Sequence, residues 1–178
     1  MGSIELRYPD NWPEPEFSRL QESVFSSVSQ PSCLLAEMLK KESVDSPVSP
    51  PQQPPMFRVA AYSGSDFVGW SCGWMERGRV FYMANSGVAE SYRRLGIYTS
   101  MLGAIRKHAE ENKAVAIRSH HSVLNNPILI TKLRAGFHVS GLSQSGQMGT
   151  LVELTLHISE MRNDLYRTRS LPYVASDV

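Results

Sequence analysis

Apolar and polar residues alternate from Ile4 to Tyr8, the period of a short, half-buried first strand. Pro9, Pro13 and Pro15 interrupt it. From Glu16 to Val28 the period lengthens, because Phe17, Leu20, Val24 and Val28 recur at helical spacing. A second short helix is expected over Ser32–Lys41, with Leu34, Leu35, Met38 and Leu39 as its stripe. Five prolines between residues 43 and 55 exclude regular helix or a central strand there, so that segment reads as a loop. Three strand signals follow: Met56–Tyr62, Phe67–Met75 and Val80–Val88. Turn residues Ser63-Gly64-Ser65-Asp66 and Arg77-Gly78 separate them, which predicts an antiparallel meander. Helical spacing returns with Tyr98, Met101, Leu102, Ile105 and Ala109 on one face. Ala114–Ser119 is a short strand, and His120 and His121 follow it. Asn125-Asn126-Pro127 has the form of a helix start and Gly136 that of its stop. Phe137–Leu142 and Leu151–Ile158 form a last strand pair, and residues 159–178 read as a polar tail with Tyr166 and Tyr173 as docking points.

The order is strand, two helices, three strands, helix, strand, helix, two strands. It predicts a mixed α+β domain with helices on a mostly antiparallel sheet. A length of 178 residues suits a single domain over 1–178. Its parts are a strand and two helices over 4–42, the Pro-rich loop 43–55, a core over 56–158, and the tail.

A hydrophobic content of 42% and a charged content of 20% are those of an ordinary globular chain. A net charge of +1 announces no DNA or anionic-membrane partner. The cysteines Cys33 and Cys72 are too few for a disulfide framework and lack metal-type spacing, so no metal and a cytoplasmic location are expected. No apolar run approaches the roughly 20 residues that span a bilayer. The first residues lack the basic and apolar regions of a secretory leader.

The segment from Val88 to Thr99 joins a strand to a helix. A helix N-terminus offers free N–H groups and the positive end of a dipole. Gly96 admits close approach of a ligand, and Arg93 and Arg94 stand beside it. Such a constellation suits phosphate oxygens. On spacing alone, a solvated arginine turn explains it equally well. It is neither a three-glycine dinucleotide fingerprint nor a P-loop.

The segment resembles the R-x-x-G-x-[GA] signature of the GNAT superfamily of acyltransferases, through Arg93 and Gly96, with Tyr98 departing from the small last residue. Downstream, Asn125, the helix to Ala135 and Gly136-Phe137 resemble a second region of that family. The resemblance covers about residues 56–158. It implies a sheet whose fourth and fifth strands splay apart to admit the pantetheine arm of acetyl-CoA. Backbone groups of Ser86, Gly87 and Val88 would pair with that arm. Amides of Arg93, Arg94, Leu95, Gly96, Ile97, Tyr98 and Thr99 would take the pyrophosphate, and Asn125 would touch the cofactor from the other side. The implied reaction is direct acetyl transfer to the primary amine of a small molecule, peptide or tRNA-linked amino acid. Alternatives keep the fold with another donor (a longer acyl-CoA, a carrier-protein thioester or aminoacyl-tRNA) or make it a CoA-binding module without turnover.

Direct attack needs a base. Glu90 at the strand end, Glu76 at a hairpin and His120 beside His121 are candidates, each also explained as a polar surface residue. The family's tyrosine acid falls on Lys132, free to face phosphate or solvent, and Tyr98 is the other hydroxyl at hand. Trp70, Trp74, Phe81 and Tyr82 line an acceptor pocket or the core, and Cys72 beside them reads as packing. A homodimer is the default oligomeric expectation.

Overall fold

A computed structural model describes residues 3–25, 54–146 and 148–170. The helix expected over 32–41, the end of the first helix and most of the Pro-rich segment lie outside the described residues, as does Tyr173.

Seven strands form one sheet in the order β1-β2-β3-β4-β5-β7-β6. They are β1 (Ile4–Arg7), β2 (Met56–Ser63), β3 (Asp66–Glu76), β4 (Val80–Val88), β5 (Ala116–Ser122), β6 (His138–Ser145) and β7 (Gly149–His157). Every pairing is antiparallel except β4 with β5. Among the described residues four α-helices accompany them: α1 (Glu16–Phe25), α2 (Ile97–Glu111), α3 (Asn126–Arg134) and α4 (Glu160–Ser170). The hairpin glycines Gly64 and Gly78 take positive φ (62° and 83°), which is why those turns close where the sequence places them.

Successive strand residues face opposite sides of the sheet. On one side Phe81, Met83, Val88 and Ile117 pack with Met101, Leu102 and Ile105 of α2 in the main core. On the other, Trp70 receives Phe17 and Phe25 of α1, edge to face, at centroid distances of 5.5 and 6.0 Å. The outward face of α2 carries the i,i+4 pairs Arg106–Glu110 and Lys107–Glu111, so the polar residues off the core stripe are solvated as expected.

The structure corrects or extends two expectations. Residues 160–170 of the polar tail form a helix, which the sequence reading did not assign. The pattern hid this because Met161 and Leu165 remain exposed. The helix is held by Asn163 donating to the His157 carbonyl and by Tyr166, which stacks on His138 and donates to the Val139 carbonyl at 2.7 Å. Strand β5 also runs to Ser122, so His120 and His121 lie within it and face opposite sides of the sheet. Pairing with β7, His120↔Glu153 and His121↔Val152, extends the strand through these polar residues.

Candidate active site

Strands β4 and β5 pair over only three positions, Val80↔Ala116, Phe81↔Ile117 and Tyr82↔Arg118. Beyond Tyr82 they diverge. The limb Met83–Val88 keeps its partner on β3 and presents no β5 neighbour, while Ser119–Ser122 pair with β7 alone. A bulge at Cys72/Gly73 bends β4 where the fork opens, an effect bulges have on a strand. The free limb has small or modest side chains. Ser86 shares a 2.8 Å hydrogen bond with Ser71, Asn85 accepts from the Trp70 indole, and Gly87 is required because a Cβ there would overlap the Trp70 ring. The result is a strand edge with no β5 partner from Met83 to Val88.

The limb leads through a 3-10 turn, Glu90–Tyr92, to the start of α2. Gly96 caps that helix in the left-handed region (φ 79°), and no side chain caps it. The first turn contains no acidic residue. A Cβ on Gly96 would meet nothing within 4 Å, so space lies in front of the turn. Arg93 ties back to the end of β4, Nε donating to the Val88 carbonyl at 3.3 Å, and Arg94 also adopts positive φ (64°). Uncapped N–H groups and the positive dipole end lie here, and Arg93 and Arg94 are exposed in the turn that leads to them.

The fork has two unlike walls. On the α1 side, Arg118 bridges Glu76 and Glu153, the latter at 3.6 Å. Glu153 also lies 3.3 Å from Nε2 of His120. The Tyr82 ring sits 5.7 Å from the His120 ring and 5.2 Å from that of Trp74. On the α2 side, Lys132 is fully buried, with Nζ 3.0 Å from the sulfur of Met83 and 4.1 Å from the centre of the Phe137 ring. Burial lowers its pKa to about 7. Burial first, then the Lys132 charge and His120, hold His121 at about 4, and His121 lies 3.0 Å from the Ser119 hydroxyl.

The structure brings Ser86, Gly87, Val88 and the Arg93–Thr99 stretch together along one path. His120 joins the α1-side wall. Glu90 is exposed in the turn, and among the described residues its carboxylate has no side-chain partner. Tyr98 packs against the core with its phenol oxygen enclosed and unpartnered, and burial pushes its pKa far above the ordinary phenol value, so it holds its proton. Its bulk in place of a small residue is accommodated in helix–sheet packing. Asn125 caps α3 through its side-chain oxygen, which accepts from the Ile128 amide. Lys132 faces neither phosphate nor solvent, a correction caused by α3 turning that side onto β4 and Phe137. The Cys72 thiol is raised by burial and sits in packing. Sequence reasoning missed Glu153 and Arg118. Their signal was that each is the one Asp, Glu, Lys or Arg in its strand. Among the described residues no group of three or more His, Cys, Asp or Glu is placed to hold a metal.

A strand edge left without a β5 partner, running into a helix start without a side-chain cap, suits a long ligand that carries phosphate. The model of the Acetyltransferase (GNAT) family matches residues 6–130, and the chain belongs to that family of acetyltransferases. Solved structures share the fold. The ribosomal-protein-S18-alanine N-acetyltransferase from Escherichia coli superposes with a TM-score of 0.66 at 9% identity, covering 88% of this chain and 95% of that one. A GNAT family acetyltransferase from Elizabethkingia anophelis, with acetyl-CoA bound, gives 0.60 at 14% identity, covering 86% and 97%. Nourseothricin acetyltransferase gives 0.56 at 20% identity, covering 65% and 74%. No curated protein matches the chain.

Proposed function

We propose that this chain transfers an acetyl group from acetyl-CoA to a primary amine of a small molecule or peptide by direct attack. The observation that carries the reading is the free limb of β4 running into the uncapped start of α2. The residues fit the ligand: the edge of Ser86–Val88 away from β3 has no strand partner, the amides of Arg94–Thr99 suit a pyrophosphate, and the space before Gly96 leaves room for it. Acetyl-CoA bound there supplies an acyl thioester already activated toward amines.

The chain's own groups handle the acceptor's proton. An ammonium cannot attack, so a base must accept a proton near the fork. His120 is the group best supported, because Glu153 at 3.3 Å stabilises the imidazolium it becomes and fixes its ring. Arg118 holds Glu153 in turn. Tyr82 and Trp74 form an apolar wall beside this base and limit water. Glu90, outside this wall, is left as a surface acid.

The test is thermal unfolding with and without acetyl-CoA and CoA, followed by thiol release against a panel of amines. A ligand at 100 times its Kd stabilises by about 2.7 kcal/mol. Stabilisation by both, and thiol release with at least one amine, is the expected result. Stabilisation without turnover across the panel would reduce the protein to a CoA-binding module. Release only with a longer acyl-CoA or a carrier-bound thioester would replace the acetyl donor.

A further inference from the structure

We propose that Ser140 is a positioning residue for the transfer: its hydroxyl fixes the Glu153 carboxylate, which keeps the ring hydrogen of neutral His120 on Nε2 and leaves Nδ1 to take the proton of the amine. The role rests on the reading above, in which His120 is the base. Ser140 is exposed on the edge strand, where water alone would satisfy a serine. Instead it stands out of register. Strand β6 pairs with β7 through Val139↔Leu154 and then Gly141↔Glu153, so no residue of β7 lies opposite Ser140. Such bulges re-aim a side chain, often beside an active site.

Here the bulge brings the hydroxyl onto Glu153. Ser140 Oγ lies 2.8 Å from Oε1 of Glu153 and 2.8 Å from the Thr155 hydroxyl, with the Glu153 carbonyl farther away at 3.4 Å. A hydroxyl has one hydrogen, and an ionised carboxylate only accepts. The hydrogen therefore goes to Oε1, the short charge-assisted contact, and Ser140 accepts from Thr155. Thr155 is two residues beyond Glu153 on β7 and shares its face of the sheet. The donors run in one direction, from Thr155 to Ser140 to Glu153.

With Oε1 engaged, Oε2 faces Arg118 at 3.6 Å and Nε2 of His120 at 3.3 Å. Rotation of the carboxylate would break the Ser140 bond, so its second oxygen stays turned to the imidazole. The same donor count fixes the ring. Opposite a group that only accepts, Nε2 of the neutral imidazole carries the hydrogen and the lone pair lies on Nδ1. Among the described residues nothing hydrogen-bonds Nδ1. In the proton step, an N–H bond of the acceptor's ammonium breaks, its electron pair stays on nitrogen, and the proton joins Nδ1. The imidazolium donates through Nε2 to Glu153 until water removes the proton from Nδ1. The other tautomer would point a lone pair at a carboxylate and an N–H at the amine, and could accept nothing from it.

The experiment compares the wild type with Ser140→Ala and Ser140→Thr, the second keeping the hydroxyl. Nitrogen-15 spectra of histidine-labelled protein, with His120 assigned by its absence from His120→Gln, read the tautomer without any substrate. The wild type is expected to hold neutral His120 as the Nε2–H form, Ser140→Ala to show both forms, and Ser140→Thr to return to one. Thiol release with acetyl-CoA and the fastest amine of the panel is expected to show kcat lower by about 10-fold in Ser140→Ala, with KM and Tm unchanged and most of the rate regained in Ser140→Thr. A wild-type Nδ1–H form, or a tautomer and kcat indifferent to Ser140→Ala, would overturn the role alone. So would a loss of rate in Ser140→Ala matched by a fall in Tm or a rise in KM, which would mark a merely structural serine. Full kcat in His120→Gln would remove the base, and failure of acetyl-CoA and CoA to stabilise the wild type would remove the parent reading; either takes this role with it.

Discussion

The buried amine of Lys132 should leave a mark on folding that requires no substrate. In the unfolded chain its ammonium persists to pH 10.5, and in the folded protein to about 7. Between those values the unfolded state binds more protons, so the group's penalty is full below about pH 7 and disappears as pH rises toward 10.5. The whole interval corresponds to about 5 kcal/mol at 1.36 kcal/mol for each pH unit, an order-of-magnitude figure. Integrated over the interval from pH 7 to pH 9, it gives a rise of about 2 kcal/mol. The quantity to follow is the difference between wild type and Lys132→Met, which cancels the contribution of groups common to both. Urea unfolding at 25 °C over that range measures it. The variant is expected to be the more stable at pH 7, its advantage narrowing by about 2 kcal/mol by pH 9. A difference constant across the range to within about 0.5 kcal/mol would refute the assignment of a proton-poor lysine.

Four further outcomes follow from the geometry. Gly96→Ala costs about 1 kcal/mol through its left-handed backbone and not through a clash, a fall of roughly 2–4 °C in Tm, while Gly96→Trp also abolishes stabilisation by CoA in the same melt. Gly87→Ala destabilises by about 1–3 kcal/mol in urea unfolding because its Cβ overlaps the Trp70 ring. His120→Ala lowers kcat/KM by about 100-fold or more in the thiol-release assay, and Glu153→Gln lowers it by a smaller factor, with Glu90→Gln leaving it unchanged. Tyr166→Phe removes the hydrogen bond to the Val139 carbonyl and costs about 1 kcal/mol, with faster amide exchange in α4.

What was legible in the sequence was what depends on neighbours along the chain. Alternation gave the meander from Met56 to Val88, because each of its strands buries one face or both. The Arg93–Gly96 turn could be read because glycine and a strand-to-helix junction are local features. The Asn125 cap and the Gly136 stop were legible for the same reason. Pairings across the sheet were not. Glu153 becomes a partner of His120 only when β7 lies against β5, and nothing near either residue announces that. The reach of β5 past Ser119 was lost because two histidines read as loop until β7 supplies their hydrogen bonds. Lys132 looked solvent-facing because lysine usually is; its burial follows from the side of α3 that meets β4. The helix over 160–170 was invisible because it is fixed by an aromatic stack and two hydrogen bonds to the strand ends and not by an apolar stripe.

Beyond Tyr82 the divergence of β4 from β5 leaves one seam of the sheet without strand pairing, which both faces share. Lys132 and His121 border it on one face, and His120, Glu153 and Tyr82 on the other. On the proposed reading, a donor on one face and an amine on the other would occupy the protein together, with no covalent acyl-enzyme between them. Double-reciprocal plots for such an arrangement intersect, in contrast to the parallel lines of a ping-pong scheme. Each product would then leave from the side its parent occupied, and CoA would compete with acetyl-CoA and not with the amine.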